Sequence, residues 1–147
     1  MSDKENQDLP DSEPSDIQRV AETCNKDWFL QEMINLANVG AELDITINVG
    51  GVLASGTLIG GQKYFEMLAE SINFSNEGNP DNETVKKFFS GFGDMYQEAP
   101  PVDSIGYIHM KDIKFHALSG TPVPSNSTIW RGRLSQVNGF ILGRPSG

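Results

Sequence analysis

Two glycine-punctuated stretches of alternating residues constrain this chain more than any other feature. Residues 43–61 (LDITINVGGVLASGTLIGG) and 128–144 (TIWRGRLSQVNGFILGR) each read as two strands joined by a tight turn, Gly50-Gly51 in the first and Asn138-Gly139 in the second. Gly-Gly and Asn-Gly supply the positive φ angles that two-residue hairpins require. Leu43, Ile45, Ile47 and Val49 alternate with Asp44, Thr46 and Asn48, the pattern of a strand with one buried and one wet face. The returning segment 52–59 contains the small residues Ala54, Ser55 and Gly56, which predicts a bulge or a close backbone approach.

Helical patterns flank these strands. Ser15 and Gln18 have the spacing of a capping box. Behind them Ile17, Val20, Ala21, Cys24 and Trp28 follow helical spacing, and Phe29, Met33, Leu36 and Ala37 continue a slightly rotated stripe. One long helix, or two meeting near residues 25–27, fits this pattern, and Gly40 is its natural stop. Residues 62–74 form a second helical pattern with Tyr64, Phe65, Leu68 and Ile72 on one side. Residues 75–103 are polar and proline-rich, with a short helical candidate at 83–89; a connection this long is usually functional or disordered. Residues 105–115 read as a third strand, 118–127 as a loop, and 129–137 with 140–142 as a closing hairpin. The expected fold is α+β and mainly β. It is a small five-stranded bent antiparallel sheet or SH3/Sm-like barrel with an N-terminal helix and a helical insert. A helix-covered open sheet is the competing architecture.

A chain of 147 residues suffices for one core, yet hydrophobic residues make up only 37% of it, which points to an unfolded portion. Residues 1–16 read as a disordered acidic tail and 17–147 as a single globular domain, with 62–103 as a helical or flexible insert. The acidic N-terminus lacks the apolar stretch of a signal peptide, and no run approaches the roughly 18 apolar residues of a membrane span. The single cysteine, Cys24, excludes an internal disulfide and suits a reducing cytoplasm.

The net charge of −9 is unevenly spread. Residues 1–27 carry 8 acids and 3 bases, residues 28–103 carry 11 acids and 3 bases, and residues 104–147 carry 1 acid and 5 bases. An acidic front thus precedes a basic end. Either the bases balance the acids within one fold, or they support head-to-tail or surface association that salt should weaken.

Catalytic and cofactor patterns are missing. Gly56–Lys63 lacks the Gly-Lys-Ser/Thr ending of a phosphate loop, and Gly91-Phe92-Gly93 lacks the third glycine of a dinucleotide fingerprint. His109 and His116 lie seven apart near one strand, so an unbroken pleat sends them to opposite faces and a shared metal site is not expected, even with Asp112 between them. Cys24 has helical-core spacing and no recognisable partner base. Neither an enzyme, a cofactor nor a bound metal is expected. The remaining candidates are basic. Arg131 and Arg133 alternate on one strand face, opposite Trp130 and Leu134. Together with Lys111, Lys114 and Arg144 they make a candidate binding stripe for an acidic partner segment or for RNA phosphates. The acidic composition disfavours nucleic acid.

The segments LDITINVGGVLASGTLIGGQKYF, YIHMKDIKFH and IWRGRLSQVNGFILGR together resemble the gas vesicle accessory protein U family over roughly residues 28–144. The resemblance is sharpest at Trp130-Arg131-Gly132-Arg133 and Val137-Asn138-Gly139-Phe140, with support from residues 48–51 and 55–57. It implies a non-enzymatic cytoplasmic protein, found at the gas vesicle surface, that binds the vesicle wall or other accessory proteins and assists vesicle assembly or clustering. Homo-oligomers fit that role. An Sm-like nucleic-acid-binding or oligomeric scaffold protein is the alternative.

Overall fold

The computed structural model describes residues 26–72, 81–116, 123 and 126–144. The acidic lead, the helical stripe from Ile17 to Cys24 and residues 73–80 lie outside the described residues. The elements run α1 (Trp28–Asn38), β1 (Leu43–Val49), β2 (Val52–Ile59), α2 (Gly61–Glu70), α3 (Asn82–Gly91), β3 (Tyr107–His116), β4 (Trp130–Arg133) and β5 (Val137–Leu142). Short 3-10 turns occupy Phe92–Tyr96, Val102–Ser104 and Leu134–Gln136.

Helix α1 begins where Asp27 caps it: the carboxylate accepts hydrogen bonds from the N–H groups of Phe29 and Leu30 at 2.9 and 3.2 Å. It ends at Gly40, whose φ of +115° lets the chain reverse. Gly40 and Ala41 donate N–H groups back to Ala37 and Leu36, each at 3.0 Å, closing a Schellman motif. The buried stripe is Leu30, Met33, Ile34 and Ala37, while Phe29 and Leu36 stay half exposed. The expected stripe is therefore corrected by about one residue: Leu30 and Ile34, not Phe29 and Leu36, meet the sheet.

Among the described residues five antiparallel strands form one open sheet in the order β4-β3-β2-β1-β5. Gly50 and Gly51, with φ of +58° and +91°, make the expected turn between β1 and β2. The close approach expected in β2 occurs at Gly56, where a Cβ would sit 2.9 Å from the Lys111 carbonyl oxygen.

The expected closing hairpin does not form. Asn138-Gly139 lies inside β5, which pairs with β1, while β4 pairs with β3 at the opposite edge. Opposite Asn48 and Val49 the register slips, so Asn138 is an extra residue in the strand rather than a turn. The two strands run in the same sense and are joined instead by the 3-10 turn Leu134–Gln136, anchored by Leu134, which is 1% exposed. Three residues can carry the chain from one sheet edge to the other only if the sheet is strongly bent. The bent-sheet form of the expectation holds, and the sheet does not close.

Burial separates the faces. On the inner face α1 packs with Ile45, Ile47, Ala54, Leu58, Ile108, Met110, Ile113, Leu134 and Val137 in one core. Each fully buried Leu or Ile there contributes about 1.5–3 kcal/mol. The buried Gln31 ties α1 to the lead-in of β3 by donating to the Ile105 carbonyl at 2.9 Å. At the other end of α1, the Asn38 side chain accepts the N–H of Gly61 at 3.0 Å, setting the start of α2. Helix α2 and the 3-10 turn 92–96 then cover part of the opposite face, which carries the candidate site.

Candidate functional site

The outer face is defined by register. His109 pairs with Ile59 and Arg131, Lys111 with Thr57, Lys114 with Ser55, and His116 with Leu53. Eight positions along β3 thus match seven along β2. The extra residue is Asp112, the one described non-glycine residue with positive φ, at +53°. This bulge resets the pleat and puts both histidines on the same face, which corrects the expectation of opposite faces. They still cannot share a ligand, because six residues of strand, roughly 20 Å, separate them. Asp112 instead accepts a hydrogen bond from the Ser127 hydroxyl. Among the described residues no three His, Cys, Asp or Glu side chains are grouped to hold a metal.

One end of this face is an aromatic enclosure. His109 is 1% exposed and lies under the rings of Tyr64, Tyr96 and Phe65, at centroid distances of 4.8, 5.5 and 6.0 Å. Arg131 enters from β4. Its Nη1 stands 2.7 Å from His109 Nε2 and donates to the Tyr96 hydroxyl at 3.4 Å. The guanidinium carbon lies 3.8 Å from the Tyr107 ring centroid and 5.5 Å from that of Phe65. Burial, reinforced by the Arg131 charge, pushes the His109 pKa down to about 3. The imidazole is therefore neutral, and because Nε2 accepts from arginine, the ring proton sits on Nδ1. Burial also raises the Tyr64 hydroxyl above its ordinary range. A neutral histidine whose Nε2 is occupied by a guanidinium is a poor general base, so this enclosure is a packing and positioning device.

The middle of the face is a charge network. Glu42 bridges Lys111 at 2.7 Å and Lys63 at 3.5 Å, which ties α2 to β3. The hydrogen bond from Lys111 chiefly holds the Glu42 carboxyl below its usual range. Asp44 accepts from the Thr57 hydroxyl at 2.9 Å and meets Arg144 Nε at 3.3 Å, and these contacts lower its pKa as well, the Thr57 bond most. Arg144 also bonds Thr57.

The six residues of the expected stripe therefore have different settings. Lys111 and Arg144 balance acids within the fold. Trp130 turns inward, packs edge-on against Phe115 at 6.1 Å and borders the core. Its indole lies over Gly132, where a Cβ would sit 2.2 Å from the ring. Arg131 is partly enclosed. Lys114 is half-buried on β3, beyond the bulge. Arg133 is exposed, and among the described residues no carboxylate lies within ion-pair distance of Arg131 or Arg133.

An aromatic strip adjoins these arginines. Phe88 and Phe92, 63% and 43% exposed, stand 5.1 Å apart, and Phe92 lies 5.9 Å from Phe65, which in turn faces Arg131. Met95, 69% exposed, sits on the same 3-10 turn. The strip runs from α3 to the open edge of the sheet at Tyr107 and Arg133. Sequence reasoning missed it because its members are spread from Phe65 to Tyr107 in the chain, although the spacing of Phe88, Phe92 and Met95 is itself a helical signal.

A family model described as gas vesicle protein GvpU-like matches residues 27–145. The chain belongs to the GvpU-like family. The match spans the whole described fold, from the Asp27 cap to Arg144, and makes this a gas vesicle related protein. This family is one of gas vesicle accessory proteins and is not a known enzyme family. No curated protein and no solved structure matches the chain. No described helix is long and apolar enough to cross a membrane.

Proposed function

We propose that this GvpU-like protein is a non-enzymatic accessory protein that binds gas vesicle components and assists the assembly or clustering of gas vesicles in the cytoplasm. The contacted component is the vesicle wall or another accessory protein. The reading rests on family membership and on one observation in particular. Arg133 stands exposed on an edge strand, beside an aromatic strip, without an acidic partner among the described residues. In a chain of net charge −9 such an arginine is well suited to an acidic segment supplied by a partner. Arg131, held by Tyr107 and His109, shapes the surface beside it. Residues 1–16, or the acidic part of the insert, from another copy are one source of such a segment, and a vesicle protein is another.

Flotation tests the proposal. Purified protein is mixed with isolated gas vesicles, the vesicles are allowed to rise, and the floating layer is assayed for the protein and for clustering by light scattering. Recovery in the float that high salt reverses and Arg133→Glu abolishes is the expected result. Protein left wholly below the float overturns the binding claim. The scaffold or RNA-binding alternative draws support from the strand order alone, and single-stranded RNA retained on a filter in a salt-dependent way would favour it.

A further inference from the structure

Edge strands in soluble proteins are ordinarily blunted by charge, proline or a covering element, because their free N–H and C=O groups invite pairing. Among the described residues, strand β5 has no such protection over residues 139–142. Residues 137–143 contain no charged residue and no proline, in a chain that carries 20 acids and 11 bases. Ile141 and Leu142 are 64% and 63% exposed. The one irregularity, at Asn138, lies at the start of the strand and leaves residues 139–142 in regular register with β1.

The hydrogen bonding shows which backbone groups are free. Gly143 donates its N–H to the Asp44 carbonyl at 2.8 Å. In an antiparallel pair alternate residues face the partner, so Gly139, Ile141 and Gly143 turn toward β1, while Phe140 and Leu142 turn their N–H and C=O groups to the open edge. On the inner face the Phe140 ring lies 6.1 Å from Phe29, which is 5.8 Å from Trp28. The open edge is thus continuous with an exposed aromatic cluster.

We infer that β5 pairs with β5 of a second copy, antiparallel, about a twofold axis through Ile141. In this register Phe140 of each copy faces Leu142 of the other and exchanges two backbone hydrogen bonds with it, four in all. Ile141 meets its own mate on the axis, and Arg144 falls opposite Asn138, so no like charges are brought together. A second copy suits this edge because an uncharged strand is self-complementary about a twofold. Copies carrying a net charge of −9 repel one another over most of their surface, and this strip is where they do not. Such a dimer presents its two Arg133 edges as separate surfaces, which would let one particle engage two partners. The pairing itself does not depend on the gas vesicle reading.

Sedimentation of the full-length protein over a concentration series tests the inference. The expected result is a dimer that rising salt leaves intact, since screening only relieves the repulsion. Ile141→Lys places two ammonium groups on the axis and should weaken the dimer by roughly tenfold or more. Ile141→Glu should do the same, while an equimolar mixture of the two variants recovers a heterodimer, an outcome that misfolded variants could not give. In a Cys24→Ser background, Ile141→Cys should cross-link under mild oxidation, because such a non-hydrogen-bonded pair has Cα atoms about 4.5 Å apart. A protein that stays monomeric throughout overturns the proposal. So does a dimer that Ile141→Lys leaves untouched and Ile141→Cys does not cross-link.

Discussion

Strands β4 and β5 are separated by three residues in the chain and by three strands in the sheet. β4 carries Arg131 and Arg133, stands beside helices on its outer side, and has its inward positions taken by Trp130 and Gly132. β5 carries no charge and leaves Ile141 and Leu142 half bare. Consecutive segments thus build one charged edge and one uncharged edge. The difference comes from what each packs against. β4 lies next to β3 and the aromatic residues of α2 and the insert, whereas β5 lies next to β1 and the open start of α1.

The largest effect on this comparison is expected at the turn that separates the two edges. Leu134→Ala removes a side chain that is 1% exposed, and it should lower stability by about 2–5 kcal/mol in denaturant unfolding. An unchanged midpoint would mean that the turn is not what directs the two strands apart. Next comes Gly132→Ala. The added methyl meets the Trp130 indole, which is pinned between Phe115 and the core, so a loss of about 1–3 kcal/mol is expected together with a blue or red shift of the tryptophan emission. The equivalent change in β5, Gly139→Ala, meets nothing within 4 Å and should be close to neutral, which makes the pair a direct test of the asymmetry.

The third prediction concerns pH. The folded-state pKa of His109 lies below its unfolded value, so the unfolded chain binds more protons. The stabilising difference is present in full above the unfolded pKa of about 6.5 and is lost as pH falls toward the folded value of about 3. Stability should decline by at most about 1.4 kcal/mol per pH unit across that window. Glu42 and Asp44, whose folded pKa values are also depressed, add a decline of the same sign that begins only nearer their own unfolded values of 4.5 and 3.8. His109→Gln should therefore flatten the stability profile between about pH 6.5 and 4.5 and leave the steeper acid limb in place. A profile equally steep in both proteins would place the titration elsewhere. The smallest effect on folding belongs to Arg133→Glu, which should stay within about 0.5 kcal/mol of the parent while abolishing vesicle flotation. Loss of both together would make Arg133 a structural residue.

Much of the fold was legible because its signals are local. The alternation from Leu43 to Val49, the Gly50-Gly51 turn, the stop at Gly40 and the separation of Trp130 from Arg131 across a strand all follow from residues a few positions apart. The sequence by itself determined these elements, the acidic-to-basic division of charge and the family. The tertiary structure alone decided the rest. Asn138-Gly139 carries the same local signal as a hairpin turn, yet it became part of a strand because β1 offered a longer partner than β4 did. His109 and His116 share a face because a bulge at Asp112 shifts the pleat; aspartate tolerates positive φ better than most residues, but only the pairing with β2 turns that tolerance into a bulge. Arg131 and Arg133 have equal spacing and equal charge, but only the fold brings Tyr107, Phe65 and His109 around the first and leaves the second in solvent. Pairing and burial depend on residues far apart in the chain, and a local pattern cannot say which of several possible partners it will meet.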